Sequence, residues 1–136
     1  MELVVDANIA ISALISDKGR TKELLFASNL KLYAPEFLLE EIREHEEEIC
    51  KKAGLSKMEL ALALLVISSR IEFIPFAEFK QNIVKAKAIC PDKDDVLYFA
   101  LAIKYDCQLW SNDKKLQEQK EVKILSTQMV AKKVQR

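Results

Sequence analysis

Short apolar runs along this chain alternate with stretches in which apolar residues recur every three or four positions, the spacing of a helix face. Leu3-Val4-Val5 predicts a strand, and Asn8 to Ile15 and Thr21 to Ala27 carry helical spacing, with Gly19 as punctuation between them. Leu30-Lys31-Leu32-Tyr33-Ala34 alternates as a strand does. Pro35 stops it and suits the first turn of a helix whose stripe is Phe37, Leu38, Leu39, Ile42, Ile49 and Cys50, ended by Gly54. Ser56 with Glu59 reads as a capping box. The run from Leu60 to Ile67 that follows is apolar almost all round, which requires burial or a subunit interface. Arg70 to Pro75 predicts a third strand, Ala77 to Ile89 a helix with Lys80, Lys85 and Lys87 outward, and Cys90 to Asp94 a loop. From Asp95, the sequence Val96 to Ile103 is too apolar for a surface helix and must be covered on most sides. Cys107 to Ser111 is a fourth strand, Lys114 to Gln119 a short helix, Val122 to Leu125 a fifth strand and Thr127 to Val134 a terminal helix.

Strands separated by helices imply parallel pairing, because parallel neighbours need crossover connections and these put helices on both faces of the sheet. The fold class is therefore α/β, a three-layer α/β/α sandwich. In such sheets ligands bind beyond the carboxyl ends of the strands, where the strand order reverses. Asp6 and Asp113 each follow a strand, and they meet there if the first and fourth strands are neighbours.

With 136 residues, half of them apolar, the chain is expected to form a single domain, 1–136, with a real core. It holds no run long enough to cross a bilayer, and Met1 to Asp6 lacks the basic and apolar regions of a signal peptide, so a cytoplasmic protein is expected. The three cysteines, Cys50, Cys90 and Cys107, are far apart and His45 is the one histidine, which argues against a disulfide frame or a zinc site. The net charge is zero, against a protein that coats nucleic acid by bulk electrostatics. The charge is nonetheless uneven: residues 36–48 hold seven glutamates against Arg43, and residues 114–136 hold seven basic residues against Glu118 and Glu121. Basic clusters of the second kind bind phosphate backbones, and both runs also suit solvated helix faces.

Asp6, Glu40, Asp95 and Asp113 stand where one predicted element gives way to the next. Singly, each is explained as a helix cap or turn residue. Gathered at one end of a sheet, they would repel one another unless a cation held them. A hard divalent ion such as Mg²⁺ or Mn²⁺ takes oxygen ligands and promotes phosphodiester hydrolysis by activating water and offsetting charge on the phosphoryl oxygens. Asn8 and Ser111 stand beside two of these acids and suit either capping or a supporting role. Asp92, Asp94 and Asp95 crowd one helix N-terminus, where one can cap and another ligate. Helical periodicity does not choose between Glu40 and Glu41. Lys114 and Lys115, after the last acid, suit either a substrate phosphate or plain helix surface. His45 on its acidic helix reads as solvated, and Trp110 as core.

V-V-D-A-N-I at the start, P-x-x-x-x-E in the middle, D-x-D-D before F-A-L-A, and L-W-S-N-D-K-K-L near the end together resemble a PIN domain over nearly the whole chain. The resemblance implies a five-stranded parallel sheet ordered 3-2-1-4-5 and a ribonuclease site for single-stranded RNA that needs Mg²⁺ or Mn²⁺. It carries the acids onto Asp6, Glu40, Asp95 and Asp113, with Asn8, Ser111 and Asp94 in support; Glu40 is taken by its distance from Pro35, and Asp95 by its register with F-A-L-A. It also implies a homodimer and, for members of the VapC type, an antitoxin partner. Two other functions compete. One is a nucleic-acid-binding module that keeps the fold but does little chemistry. The other is a phosphoacceptor of receiver or dehalogenase type, which the single aspartate at the first strand disfavours, since these want a second acid where Asn8 or its neighbours stand.

Overall fold

The computed structural model describes residues 1–16 and 19–135, so Arg136, counted above in the basic tail, lies outside them. Strands β1 (Glu2–Val5), β2 (Lys31–Pro35), β3 (Ile71–Ile74), β4 (Gln108–Trp110) and β5 (Ile124–Leu125) form one parallel sheet in the order 3-2-1-4-5. The helices are α1 (Ala7–Ile15), α2 (Arg20–Leu25), α3 (Phe37–Glu44), α4 (Glu46–Ala53), α5 (Lys57–Ser68), α6 (Phe76–Phe79), α7 (Ile83–Ile89), α8 (Val96–Tyr105) and α9 (Thr127–Val134).

The period-two alternation of a strand sends its side chains to both faces, and both are covered. Leu3, Val5, Leu32, Ala34, Trp110 and Leu125 pack with α1 to α5 and α9; Val4, Tyr33, Leu109 and Ile124 pack with α6 to α8. The all-apolar reading of α8 holds, since Tyr98 to Ala102 are five consecutive buried residues. Arg70 ties the start of β3 to the connection between α2 and the neighbouring strand β2: its guanidinium donates to the carbonyls of Leu25, Ala27 and Leu30, at 3.0, 2.9 and 3.2 Å.

The caps at α4 and α5 follow the sequence. Gly54 ends α4 at φ 69°, a left-handed position that costs glycine little, and Ser56 and Glu59 make the reciprocal hydrogen bonds of a capping box. Other boundaries differ. Pro35 is the last residue of β2, not a helix residue: the β1 ladder ends at Tyr33, so the N–H that proline lacks has no partner to lose. The single helix expected from Phe37 to Gly54 is two, broken at His45 (φ −101°, ψ 13°). Residues 77–89 are likewise interrupted by a 3₁₀ turn at Lys80–Asn82, and Lys114–Glu118 is a 3₁₀ turn rather than an α-helix. Helix α5 buries Leu60 and Ile67 but turns Met58, Leu62, Leu65 and Val66 to the exterior.

Candidate metal centre

β1 and β4 are neighbours, with Val5 beside Trp110, and the chain turns to opposite sides of this pair as it goes on to β2 and β5. The reversal leaves a gap at their carboxyl ends. Asp6, first residue out of β1, is extended (φ −80°, ψ 168°) and caps α1, its Oδ1 accepting from the Ile9 N–H at 2.9 Å. Ser111, first out of β4, is fully buried; its hydroxyl donates to Asp6 and accepts the Asp113 N–H at 3.1 Å. Asp113 caps the 3₁₀ turn that follows, accepting from the Lys115 N–H at 3.0 Å. From the helical layer on the other face, Asp92 caps the short turn Lys93–Asp95, and Asp95 stands at the N-terminus of α8. Asp92, Asp95 and Asp113 can each place one carboxylate oxygen so that all three lie within 4.8 Å of one another.

These three acids line a cleft of about 770 Å³ whose far wall is α3 and α4. Glu41 faces it from that wall, and the hydroxyl of Tyr98, a buried residue of α8, donates to Glu41 Oε1 at 2.5 Å. Asp6, 2% exposed, is not part of the lining but is near enough for its charge to act on Asp95.

Five carboxylates therefore share one field. Burial pushes the Asp6 carboxyl up to about 6; the bonds from Ser111 and Ile9 pull it down, and Asp113 and Glu41 push it further up. Asp95 is pushed to about 7, by burial first and then by Asp6, Asp92, Asp113 and Glu41. Burial also raises Glu41, against the hydrogen bond from Tyr98, and raises Tyr98 above the usual phenol range, so that it stays a donor. The donor set fits a hard divalent cation: every available ligand is an oxygen, the acids converge from both layers, and their repulsion is relieved by positive charge.

Of the residues singled out from the sequence, Asp95 and Asp113 meet here and Asn8 and Asp94 are exposed on the lining of the cleft, whereas Asp6 and Ser111 are buried outside both the lining and the three-acid group and bear on it through the Asp113 turn and the charge of Asp6. Glu40 does not join them. It is exposed, and the acid that faces the cleft is its neighbour Glu41. The helix itself carries the reason: taking the buried pair Leu38 and Ile42 as the inward direction, Glu40 points about 180° away and Glu41 only about 80°. Lys114 and Lys115 are exposed after Asp113 and stand outside the lining, whereas Lys52 and Lys93 are part of it. His45 also borders the cleft, its Nδ1 2.8 Å from the Glu41 carbonyl oxygen. Asp92 and Tyr98 were missed as site residues. Their signal is nearness to Asp95 in sequence, Tyr98 one turn along the helix that Asp95 opens and Asp92 at the cap of the turn before it.

A family model described as PIN domain matches residues 4–134. The chain belongs to the PIN-domain family. No curated protein matches its sequence. Among solved structures, this PIN domain is similar to VapBC2 from Rickettsia felis, crystallised with a DNA fragment from its promoter, at 19% identity and a TM-score of 0.73, over 93% of this chain and 98% of that one. It is also similar to PAE2754 from Pyrobaculum aerophilum, at 15% identity and a TM-score of 0.64, over 99% and 90% of the two chains. At these identities the likeness is one of fold, and it agrees with the observed strand order. PIN domains are typically nucleases. Among the described residues, no helix is long and apolar enough to cross a membrane.

Proposed function

We propose that this PIN domain is a Mg²⁺- or Mn²⁺-dependent endoribonuclease that hydrolyses phosphodiester bonds of single-stranded RNA. The observation that carries the proposal is the convergence of Asp92, Asp95 and Asp113 on a space small enough for one ion, with Glu41 on the opposite wall and the buried Asp6 close enough to repel Asp95. Asp95 and Asp113 are the direct ligands in this reading, with Asp92 completing the set, Glu41 meeting the ion through water and Asp6 acting through its charge. A divalent ion bound there supplies Lewis-acid activation of water and neutralises charge gathering on the phosphoryl oxygens. The chain's own part is to orient the acids, whose burial and mutual repulsion disfavour ionisation until a cation is bound. Ser111 fixes Asp6 and, through the Asp113 N–H, the turn that carries Asp113. Lys52 and Lys93, on the rim of the cleft, meet the substrate's phosphates, and Asn8 is placed to orient the scissile one.

The family resemblance and the VapBC2 likeness support the further reading of a toxin that is held inactive by an antitoxin protein in the cytoplasm. The exposed apolar side of α5 supports a homodimer, since Met58, Leu62, Leu65 and Val66 are 51–76% exposed. The test is cleavage of a fluorescently labelled single-stranded RNA in Mn²⁺, in Mg²⁺ and in EDTA, beside a duplex RNA and a single-stranded DNA of the same sequence. Endonucleolytic products are expected from the single-stranded RNA with either metal, none in EDTA, and none from Asp113→Asn. RNA retained but uncut under every metal condition would identify a binding module instead.

A further inference from the structure

Glu41 and Tyr98 come from opposite layers of the fold. The helix bearing Glu41, α3, packs through Leu38 and Ile42 into the cluster on one face of the sheet; Tyr98 on α8 belongs to the cluster on the other face, with Val4, Tyr33 and Leu109. Their hydrogen bond, between residues 57 apart in sequence, links the two layers at the cleft that Glu41 lines together with Asp92, Asp95 and Asp113.

The two side chains contribute very different freedom. Tyr98 is 1% exposed, and its ring is fixed by packing. Glu41 is half-buried, has three rotatable side-chain bonds, and is repelled by Glu44 and Asp94 while it acts in turn on Asp95 and Asp6. Left alone, an ionised Glu41 would swing into water, where the neighbouring glutamates of α3 already point. The phenol holds one oxygen, Oε1, and leaves the other to face the cleft. A rigid donor in the core that orients a mobile carboxylate is the arrangement by which groups behind a metal's ligands set their geometry. Tyr98 does not need Glu41 for its own sake, because any backbone carbonyl or water would satisfy a buried hydroxyl. Its spacing adds to the case, as Tyr98 lies one helical turn beyond Asp95 and so registers Glu41 against another acid of the same centre.

We infer that Tyr98 is a positioning residue of the metal centre, holding Glu41 on the cleft wall opposite Asp92, Asp95 and Asp113, where its carboxylate meets the bound ion through water. This rests on the metal-dependent reading given above.

The test is calorimetric titration of Mn²⁺ into wild type, Tyr98→Phe, Glu41→Gln and the double variant, with melting temperatures measured in EDTA. Tyr98→Phe keeps the ring and removes only the hydroxyl, so the fold should persist. It is expected to weaken Mn²⁺ by roughly 10-fold. In the Glu41→Gln background the same change should do nothing further, because the group it positions has lost its charge. Cleavage by Tyr98→Phe should recover towards the wild-type kcat as Mn²⁺ is raised, with the defect confined to the metal requirement. A lower melting temperature with unchanged Mn²⁺ affinity would make Tyr98 a packing residue and overturn the inference, as would equal 10-fold losses with and without the Glu41 carboxylate. Glu41→Asp, a change at a half-buried surface position, tests the bond from its other end, and unaltered affinity there also overturns it. Absence of Mn²⁺ binding by the wild type would refute the metal centre itself, an outcome distinct from binding that Tyr98→Phe leaves unchanged.

Discussion

Replacing Asp6 by asparagine should stabilise the metal-free protein and destabilise it, relative to wild type, once Mn²⁺ is added. The carboxyl is 2% exposed and its pKa is raised from 3.8 to about 6, by burial first and by Asp113 and Glu41 after the opposing hydrogen bonds. A folded-state pKa above the unfolded value means that the folded state binds the proton more tightly. Stability is therefore greatest below pH 3.8 and falls as pH rises towards about 6, beyond which the cost is constant. At 1.36 kcal/mol for each pKa unit, the rise from 3.8 to about 6 corresponds to about 3 kcal/mol at pH 8. Asparagine carries no charge and keeps one carbonyl oxygen for the Ile9 N–H, but it leaves the Ser111 hydroxyl to find another acceptor, which costs about 1 kcal/mol. A net gain of about 2 kcal/mol is expected at pH 8, on the order of 8 °C in melting temperature for a chain of this size. The assay is urea unfolding in EDTA at pH 8, 6 and 4, repeated in Mn²⁺ at pH 8. The gain should shrink at pH 6 and turn into a small deficit by pH 4, where the charge cost is nearly gone and the lost Ser111 bond remains. With Mn²⁺ at 100 times its dissociation constant the wild type gains about 2.7 kcal/mol that the variant loses in large part, so the order of stabilities reverses or closes. An Asp6→Asn protein less stable than wild type at pH 8 in EDTA would refute the argument, because it would mean that the charged carboxylate is held by favourable contacts that outweigh its burial.

Glu41→Gln is expected to abolish cleavage and weaken Mn²⁺ by at least 10-fold, with Glu40→Gln close to wild type in both; calorimetry and RNA cleavage on the pair check this, and the opposite split would return the role to Glu40. Asp92→Asn should weaken Mn²⁺ and cleavage while raising metal-free stability, and near wild-type turnover would remove Asp92 from the ligand set. Arg70→Met should cost about 2–3 kcal/mol in urea unfolding by leaving the carbonyls of Leu25, Ala27 and Leu30 without their shared donor; Arg70→Lys should recover only part of this, since a single ammonium cannot reproduce the fork, and full recovery would mean that charge alone matters. Leu65→Glu, at a position 68% exposed on α5, should convert a dimer to a monomer in light scattering without lowering the melting temperature, and a monomeric wild type at micromolar concentration would dispose of the interface.

What the sequence determined by itself are features whose causes are local. Leu3-Val4-Val5 and Leu109-Trp110 are strands because continuous apolar runs suit a sheet covered on both faces; Gly54 ends a helix because it tolerates positive φ; Ser56 and Glu59 start one because each satisfies the other's backbone. The alternation of these elements is enough for three layers. The strand order came from the resemblance to PIN domains and not from the pattern, since periodicity says nothing about which strands are neighbours. Asp6, Ser111 and Asp113 could be placed near one another because they follow directly on strands, where one or two residues leave little freedom of direction. Glu41 and Asp92 could not be settled in that way. Glu41 sits five residues into α3, and its direction depends on which residues of that helix the sheet claims. Leu38 and Ile42 are claimed, the cleft lies to one side of them, and Glu40 is left in water. The break at His45 likewise requires the helix to turn over the body of the protein, a demand absent from its own apolar stripe. Tyr98 reads as one more apolar residue of α8 until its hydroxyl is seen to reach α3. Local chemistry fixes where an element begins and ends, but the meeting of side chains 57 residues apart is decided by how the layers pack, because only packing sets the direction in which a helix presents its faces.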